Sequence, residues 1–269
     1  MTDSARLRLA REQETLLITL YAKAQPDNPL FFDPVARDIL TSLDYDFAKL
    51  HVPYKTVVLV CQRGKKIDTV TRGFLADHPG GIVVQLGCGL DSRFWRVDDG
   101  LVTWYDLDVP PVVELRQQFF TAVERYHLIP SSVTDLAWVD RVAADGRPVL
   151  LVAEGLLMYL SEADVRRLVL RLREAFPGCR LIADVFSRLT ARSAARHRSL
   201  HATGAALGWG IDDPGEIETW APGIRLLEEW YFTDDPDLSR LRLGYRLAYR
   251  LAGMFRTIQR AHRIVYYRL

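Results

Sequence analysis

The stretch GIVVQLGCGLDSRFWRVDDGLVTWYDLDVP, Gly81 to Pro110, decides how this chain folds. Ile82 to Leu86 is a short apolar run rich in β-branched residues, the pattern of a central parallel strand buried on both faces. Gly87 and Gly89 end it abruptly, and glycines there let a ligand approach the backbone closely. Val102 to Tyr105 is a second β-prone run. It delivers Asp106 and Asp108 roughly twenty residues after the turn, where an α/β sheet offers a carboxylate to ribose hydroxyls.

Spacing then separates the cofactors. A dinucleotide fingerprint requires a third glycine three positions after the second. Here Gly89 is followed by Leu90, Asp91 and Ser92, and an acidic Asp91 just past the turn repels a diphosphate seeking a helix N-terminus. S-adenosylmethionine, a nucleoside that carries an amino acid instead of phosphates, suits this turn better. A glycine pair alone also serves as an ordinary tight connection; the acidic strand end is what favours a cofactor.

Working outward, VVQLGCGLDSRFWRV, YDLDVPPVVELRQ, VTDLAW and LLVAEGLLMYL follow one another in an order and spacing that resemble the leucine carboxyl methyltransferase family. That family includes the enzymes that methylate the terminal carboxylate of protein phosphatase catalytic subunits, and bacterial O-methyltransferases of the tetracenomycin polyketide type. The resemblance runs from Leu20 to the end, and GLDSRFWR with EGLLMYL is its most specific part. It implies an α/β fold with a doubly wound, mostly parallel seven-stranded sheet, the class I methyltransferase variant of the Rossmann arrangement, with N-terminal helices and an inserted helical lid.

Bulk properties agree. The chain has 269 residues and 49% apolar content, enough for one α/β domain with a substantial core. We expect a single domain over 1–269: an N-terminal helical part (1–79), the cofactor-binding core (80–187), the lid (188–225), and the last strands and helix (226–269). No apolar run is long enough to span a bilayer. The polar start, MTDSARLRLAREQE, lacks the apolar core of a signal peptide, so a cytoplasmic location is expected. Cys61, Cys88 and Cys179 fit neither a disulfide framework nor a metal site. A net charge of +1 without a basic block argues against nucleic acid. The expected partner is a small-molecule acceptor, without membrane, metal or nucleic acid, and oligomeric state is left open.

Local patterns place the remaining elements. Helices are expected over Glu12–Ala24, Val35–Leu43, Ile67–Leu75 and Glu162–Phe176, the last capped by Ser161. Strands are expected over Pro148–Ala153 and Cys179–Phe186, with Leu226–Phe232 and Arg263–Leu269 as a closing antiparallel pair. Arg188–Gly208 is amphipathic, interrupts the alternation, and reads as the lid.

Each candidate site residue has two readings. Asp108 binds ribose or, with Pro110 and Pro111 following, caps a helix; the resemblance favours ribose. Asp106 supports it from the same strand face. Glu154 follows a buried strand at the sheet's carboxyl edge, where a lone carboxylate is costly and needs cations or donors. The resemblance turns Glu154 to the methionine end of the cofactor and assigns Arg63 and Lys23 to its carboxylate, joined by Tyr159. Arg63 otherwise belongs to a solvated cluster with Lys65 and Lys66, and Tyr159 to the core. Gly87, Cys88, Gly89 and Leu107 form the nucleoside cradle. Ser132 and Val133 stand where many members have Asp-Leu against the adenine, a departure that leaves that contact weaker.

Methyl transfer from a sulfonium is a direct displacement that needs alignment more than acid/base machinery. A carboxylate, with pKa of about 4, arrives ionised, whereas a phenol, at about 10, benefits from a base. His197 and His201 are the available bases, in the lid, and otherwise are exposed residues of an arginine-rich helix. No catalytic residue is assigned. Phe31, Phe32, Phe186 and Trp209 suggest an apolar or aromatic acceptor, or are core. Methyl ester formation on a polyketide-type or aromatic acid is the leading reading; phenol O-methylation, C- or N-methylation, and a non-catalytic cofactor-binding regulator are the alternatives. Asp/Asn-Pro-Pro-aromatic, the usual mark of amino-group methyltransferases, is absent where AEGLLMYL stands.

Overall fold

A computed structural model describes residues 14–121, 123–194 and 208–269. Seven strands form one sheet in the order β3-β2-β1-β4-β5-β7-β6. They are β1 (Ile82–Leu86), β2 (Thr103–Asp108), β3 (Tyr126–Pro130), β4 (Val149–Ala153), β5 (Arg180–Phe186), β6 (Arg225–Tyr231) and β7 (His262–Arg268). The first five run parallel, and β7 enters antiparallel between β5 and β6. β1 and β4 are buried along their whole length, as continuous apolar runs at the centre of a parallel sheet must be.

Alternation along the strands feeds two cores. Ile82, Val84, Leu151 and Ala183 pack with Val165, Leu168 and Leu172 of α6 (Glu162–Ala175). Val83, Trp104, Leu150 and Ile182 face Ile67, Phe74 and Leu75 of α3 (Tyr54–Asp77) and Phe94 of α4 (Arg93–Val97). A third cluster lays Leu17 and Leu20 of α1 (Glu14–Lys23) and Ala36 and Ile39 of α2 (Pro34–Ser42) over Leu90, just beyond the glycine turn. Ser161 caps α6 as expected, accepting from the Asp164 N–H at 3.1 Å.

Two expectations change. The helix expected over Ile67–Leu75 extends back to Tyr54, so Arg63 lies in its middle. Of the stretch expected as a lid, Arg188–Ala194 forms helix α7, while residues 195–207, with His197 and His201, lie outside the described residues. The connection from β6 to β7 holds two helices, α8 (Leu243–Gly253) and α9 (Arg256–Gln259).

Asp106 is wholly buried in β2 and accepts from Trp104 Nε1 (2.8 Å), Tyr126 Oη (2.6 Å) and Arg116 Nη2. Arg116 closes α5 (Pro110–Arg116) and also donates to the Gly89 carbonyl at 2.8 Å, so one buried ion pair ties β2, β3, α5 and the glycine turn together. Removing one partner of such a pair costs about 3–5 kcal/mol because the other charge stays buried. Asp106→Asn is therefore expected to lower unfolding free energy by about that amount in urea titrations; a loss below about 1 kcal/mol would show that Arg116 finds solvent.

Candidate functional site

The site lies at the carboxyl edge of the sheet, where neighbours of β1 lead off in opposite directions and open α/β sheets bind ligands. Gly87 (φ +64°) and Gly89 (φ +53°) take left-handed backbone there. A Cβ at Gly87 would sit 3.0 Å from Leu156 Cδ1, and at Gly89 2.8 Å from Leu16 Cδ2; these leucine ends can shift, but the left-handed backbone strains any side chain at either position. Asp108 closes over it: Oδ2 accepts from the Gly89 N–H and Oδ1 from the Val109 N–H, both at 2.8 Å. Val109, not Asp108, occupies the cap position of α5, which removes the capping reading. Burial lifts the Asp108 carboxyl above its ordinary range, against the pull of those two N–H groups.

Beside the turn lies a lattice of buried charges. Glu154, after β4, accepts from Lys23 Nζ at 3.0 Å and Arg63 Nε at 3.2 Å through Oε1, and from Arg93 Nη2 through Oε2. Asp91 contacts Lys23 (3.2 Å), Arg93 (3.2 Å) and Arg96 (2.9 Å). Arg93 and Arg96 also engage Asp68 of α3, and Arg96 reaches Asp33, the cap of α2. Asp184 of β5 accepts from Arg63 Nη1 at 3.0 Å and from the Gly155 N–H at 2.6 Å, and bonds His262 Nε2 at 2.8 Å. Burial opposes ionisation of Glu154, yet Lys23, Arg93 and Arg63 outweigh it and hold its pKa at about 2. Asp184 and Asp91 are depressed in the same way despite their burial, by Arg63 and His262 and by Arg93, Arg96 and Lys23 respectively. The Asp91 charge is thus matched on the spot and gives no ground for repelling a diphosphate.

A cavity of about 270 Å³ opens against this lattice. Lys23, Arg63, Gly87, Cys88, Gly89, Glu154 and Tyr159 line it, so the structure brings together seven of the residues singled out from sequence. Arg63 is buried in ion pairs rather than solvated; Lys65 and Lys66 turn away to Asp235, Asp237 and Glu228. Tyr159 stands at the cavity with 39% of its surface exposed and is not a core residue. Leu107 faces the core and offers its carbonyl to the Cys88 N–H at 3.1 Å. Ser132 and Val133 lie beyond this cavity, past the end of β3; Ser132 bonds Thr134 and Val133 is packed in the core. Of the four aromatics, Phe186 lines the cavity, whereas Trp209 is core, Phe31 packs beneath Arg96, and Phe32 is exposed. A larger cleft of about 490 Å³ sits at the opposite, amino edge of the sheet around Pro148 and Arg180, away from the glycine turn and the charge lattice.

Sequence reading missed Gln85, Asp68, Arg93, Arg96 and Asp184. Gln85 carried a signal, being the one polar residue within the apolar run of β1. Its Nε2 donates to Asp91 at 3.0 Å, and its buried Oε1 lines up no partner among the described residues. Because Glu154 titrates lower in the folded than in the unfolded chain, its stabilising contribution is complete above about pH 5 and is lost as pH falls towards 2. In urea titrations the wild type is expected to lose about 1 kcal/mol through this group between pH 7 and pH 3.5, and Glu154→Gln to lose correspondingly less. Equal losses would place the acid sensitivity elsewhere.

The profile of the leucine carboxyl methyltransferase family matches residues 15–172. The tetracenomycin polyketide synthesis O-methyltransferase TcmP of Streptomyces glaucescens is 40% identical over 241 residues, covering 88% of each chain. The S-adenosyl-L-methionine-dependent methyltransferase dpfgK of Gibberella zeae is 29% identical over 260 residues, covering 87% of this chain and 86% of its own. The crystal structure of a putative methyltransferase from Thermobifida fusca YX superposes with a TM-score of 0.57 at 19% identity, over 99% of this chain and 96% of its own, which supports the fold. With the profile matched over more than half its length and a relative of that identity along most of it, this chain belongs to the leucine carboxyl methyltransferase family.

Proposed function

We propose that this S-adenosylmethionine-dependent methyltransferase acts as a single domain over residues 1–269 and esterifies a carboxylate of a small apolar or aromatic acid. The residues present fit the cofactor: a turn with glycine in left-handed backbone at both ends, a strand-end carboxylate, and an unpartnered buried acceptor in Gln85 Oε1. In this reading Asp108 holds the ribose, with Gly87, Cys88, Gly89 and Leu107 as the nucleoside cradle. Val133 and Ser132 flank the adenine. Arg63, Lys23 and Tyr159 receive the amino-acid carboxylate, and Glu154 the ammonium. When bound, the cofactor supplies a methyl group on a sulfonium, open to direct displacement.

The observation that carries the carboxylate reading is the lining of the cavity, whose described residues include no histidine; His262 packs on Phe186 from outside it, with Nε2 on Asp184. Asp91 and Glu154 are held ionised by cations and accept protons poorly. Lys23 and Arg63 stand as the cations paired with those carboxylates, with donors left to share. Burial pushes the Tyr159 phenol up. A nucleophile that arrives already charged needs only orientation here. Ile18, Val60, Met158 and Phe186 give the cavity its apolar walls, which suits an apolar acid. The name of the Streptomyces relative, a polyketide O-methyltransferase, supports methylation at oxygen.

Transfer of labelled methyl to a panel of aromatic acids, phenols and amines checks the reading. Acids are expected to react, with kcat/KM flat between about pH 6 and 8 because no base titrates. Preference for phenols, with a rate rising with pH, would overturn it. By calorimetry, Asp108→Ala is expected to weaken S-adenosylhomocysteine binding at least about tenfold, the worth of a charge-assisted bond pair. Unchanged affinity would leave Asp108 only as a brace for Gly89.

A further inference from the structure

The charge of this chain is divided unevenly along its length. Residues 238–269 contain eight arginines and no aspartate or glutamate, leaving twenty-seven basic against thirty-four acidic residues in 1–237. The two parts therefore carry +8 and −7, although the whole is close to neutral. Nearly half of the basic part is α8 and α9, in which no residue is buried.

The inner side of α8 is anchored. Tyr245 packs edge-on against Tyr54 at 4.8 Å between ring centres, and Tyr249 donates to Gln62 Oε1 at 2.7 Å. Gln259 of α9 bonds Thr233 at 3.0 Å. The outer side presents Leu243, Leu247 and Leu251, one row at fourfold spacing, continued by Met254, Phe255 and Ile258. These six side chains are 48–74% exposed. A contiguous apolar patch of this kind on an ordered helix marks an interaction or membrane site. Arg242, Arg246 and Arg250 run as a parallel row, each one position before a leucine, and with Arg256 they form no salt bridge among the described residues.

We infer that this face docks on an anionic lipid surface, with the leucine row in the headgroup–acyl boundary and the arginines on lipid phosphates. An apolar row flanked by arginines on one rigid helix is the pattern of an interfacial helix. The pairing of features discriminates among partners. Nucleic acid would match the arginines but not the protruding leucines. A second copy docked with antiparallel helices would match the leucines, but its two-fold axis sets the arginine rows side by side. An anionic bilayer surface satisfies both rows at once, each arginine near it contributing about 1 kcal/mol. No helix among the described residues is long and apolar enough to cross a membrane, so the contact is peripheral.

Flotation of the full chain with vesicles tests this. Binding is expected with phosphatidylcholine vesicles containing phosphatidylglycerol, not with phosphatidylcholine alone, and is expected to weaken as salt rises. Arg246→Glu/Arg250→Glu and Leu247→Glu/Leu251→Glu should each reduce binding more than about tenfold while unfolding midpoints stay unchanged, since none of these positions is buried. Absence of binding to anionic vesicles overturns the inference. So does full binding by the leucine variant, which would reduce the contact to surface charge. A dimer in light scattering that the leucine variant dissociates would give the face to a second copy and likewise overturn it.

Discussion

The structure depends on one constraint: four cations and five carboxylates buried at a single edge of the sheet must neutralise one another in place. Lys23 comes from α1, Arg63 and Asp68 from α3, Asp33 from the start of α2, Asp91, Arg93 and Arg96 from the turn and helix after β1, Glu154 from the end of β4, and Asp184 from β5. No single member of this set can be removed cheaply, because each charge has given up water and each removal strands a partner. Well-packed apolar residues would often stabilise a protein at least as well. What the lattice adds is placement: six elements are held to one edge in one register, over a turn that begins and ends in glycine.

The two aspartates of β2 show how neighbouring groups of the same type are given different tasks. Asp106 has its acceptors filled by Trp104, Tyr126 and Arg116 and is sealed from solvent. Asp108, two residues on, meets only backbone N–H groups among the described residues and sits at the strand end. The first fixes the strand against β3 and α5; the second is left with acceptor capacity at the ligand edge. Their chemistry is the same, and the number of competing donors separates them.

Legibility from sequence follows the range of the interactions. VVQLGCG and DLDVP could be read because strand, turn and carboxylate lie within thirty residues and obey local rules. Helix α3 was half-read because Val57 to Val60 mimics a strand and Gly64 interrupts the period, while packing against α1 and the sheet overrides both. The partners of Glu154 were illegible for a different reason: its bonds to Arg93, Arg63 and Lys23 span 61, 91 and 131 positions, and no periodicity links such residues. Trp209 failed as an acceptor contact because an aromatic residue in a loop looks the same in sequence whether it faces a ligand or the core. The basic outer face escaped notice because its arginines recur every fourth residue instead of forming a block.

The sign of the lattice bears on the kind of ligand the site accepts. With four cations against five carboxylates it holds one unit of excess negative charge, and burial keeps His262 from correcting it by pushing its pKa down despite its bond to Asp184. A dinucleotide phosphate would deepen that excess. An ammonium relieves it, and Gln85 Oε1, on the side chain that bonds Asp91, offers an acceptor that no cation among the described residues has claimed. A carboxylate on the same ligand can then share Arg63, whose Nη2 forms no bond among the described residues while Nε and Nη1 stay on Glu154 and Asp184. A zwitterion therefore fits where a simple anion does not. The ion balance thus argues against a dinucleotide independently of the missing third glycine, and without the repulsion expected from Asp91 alone.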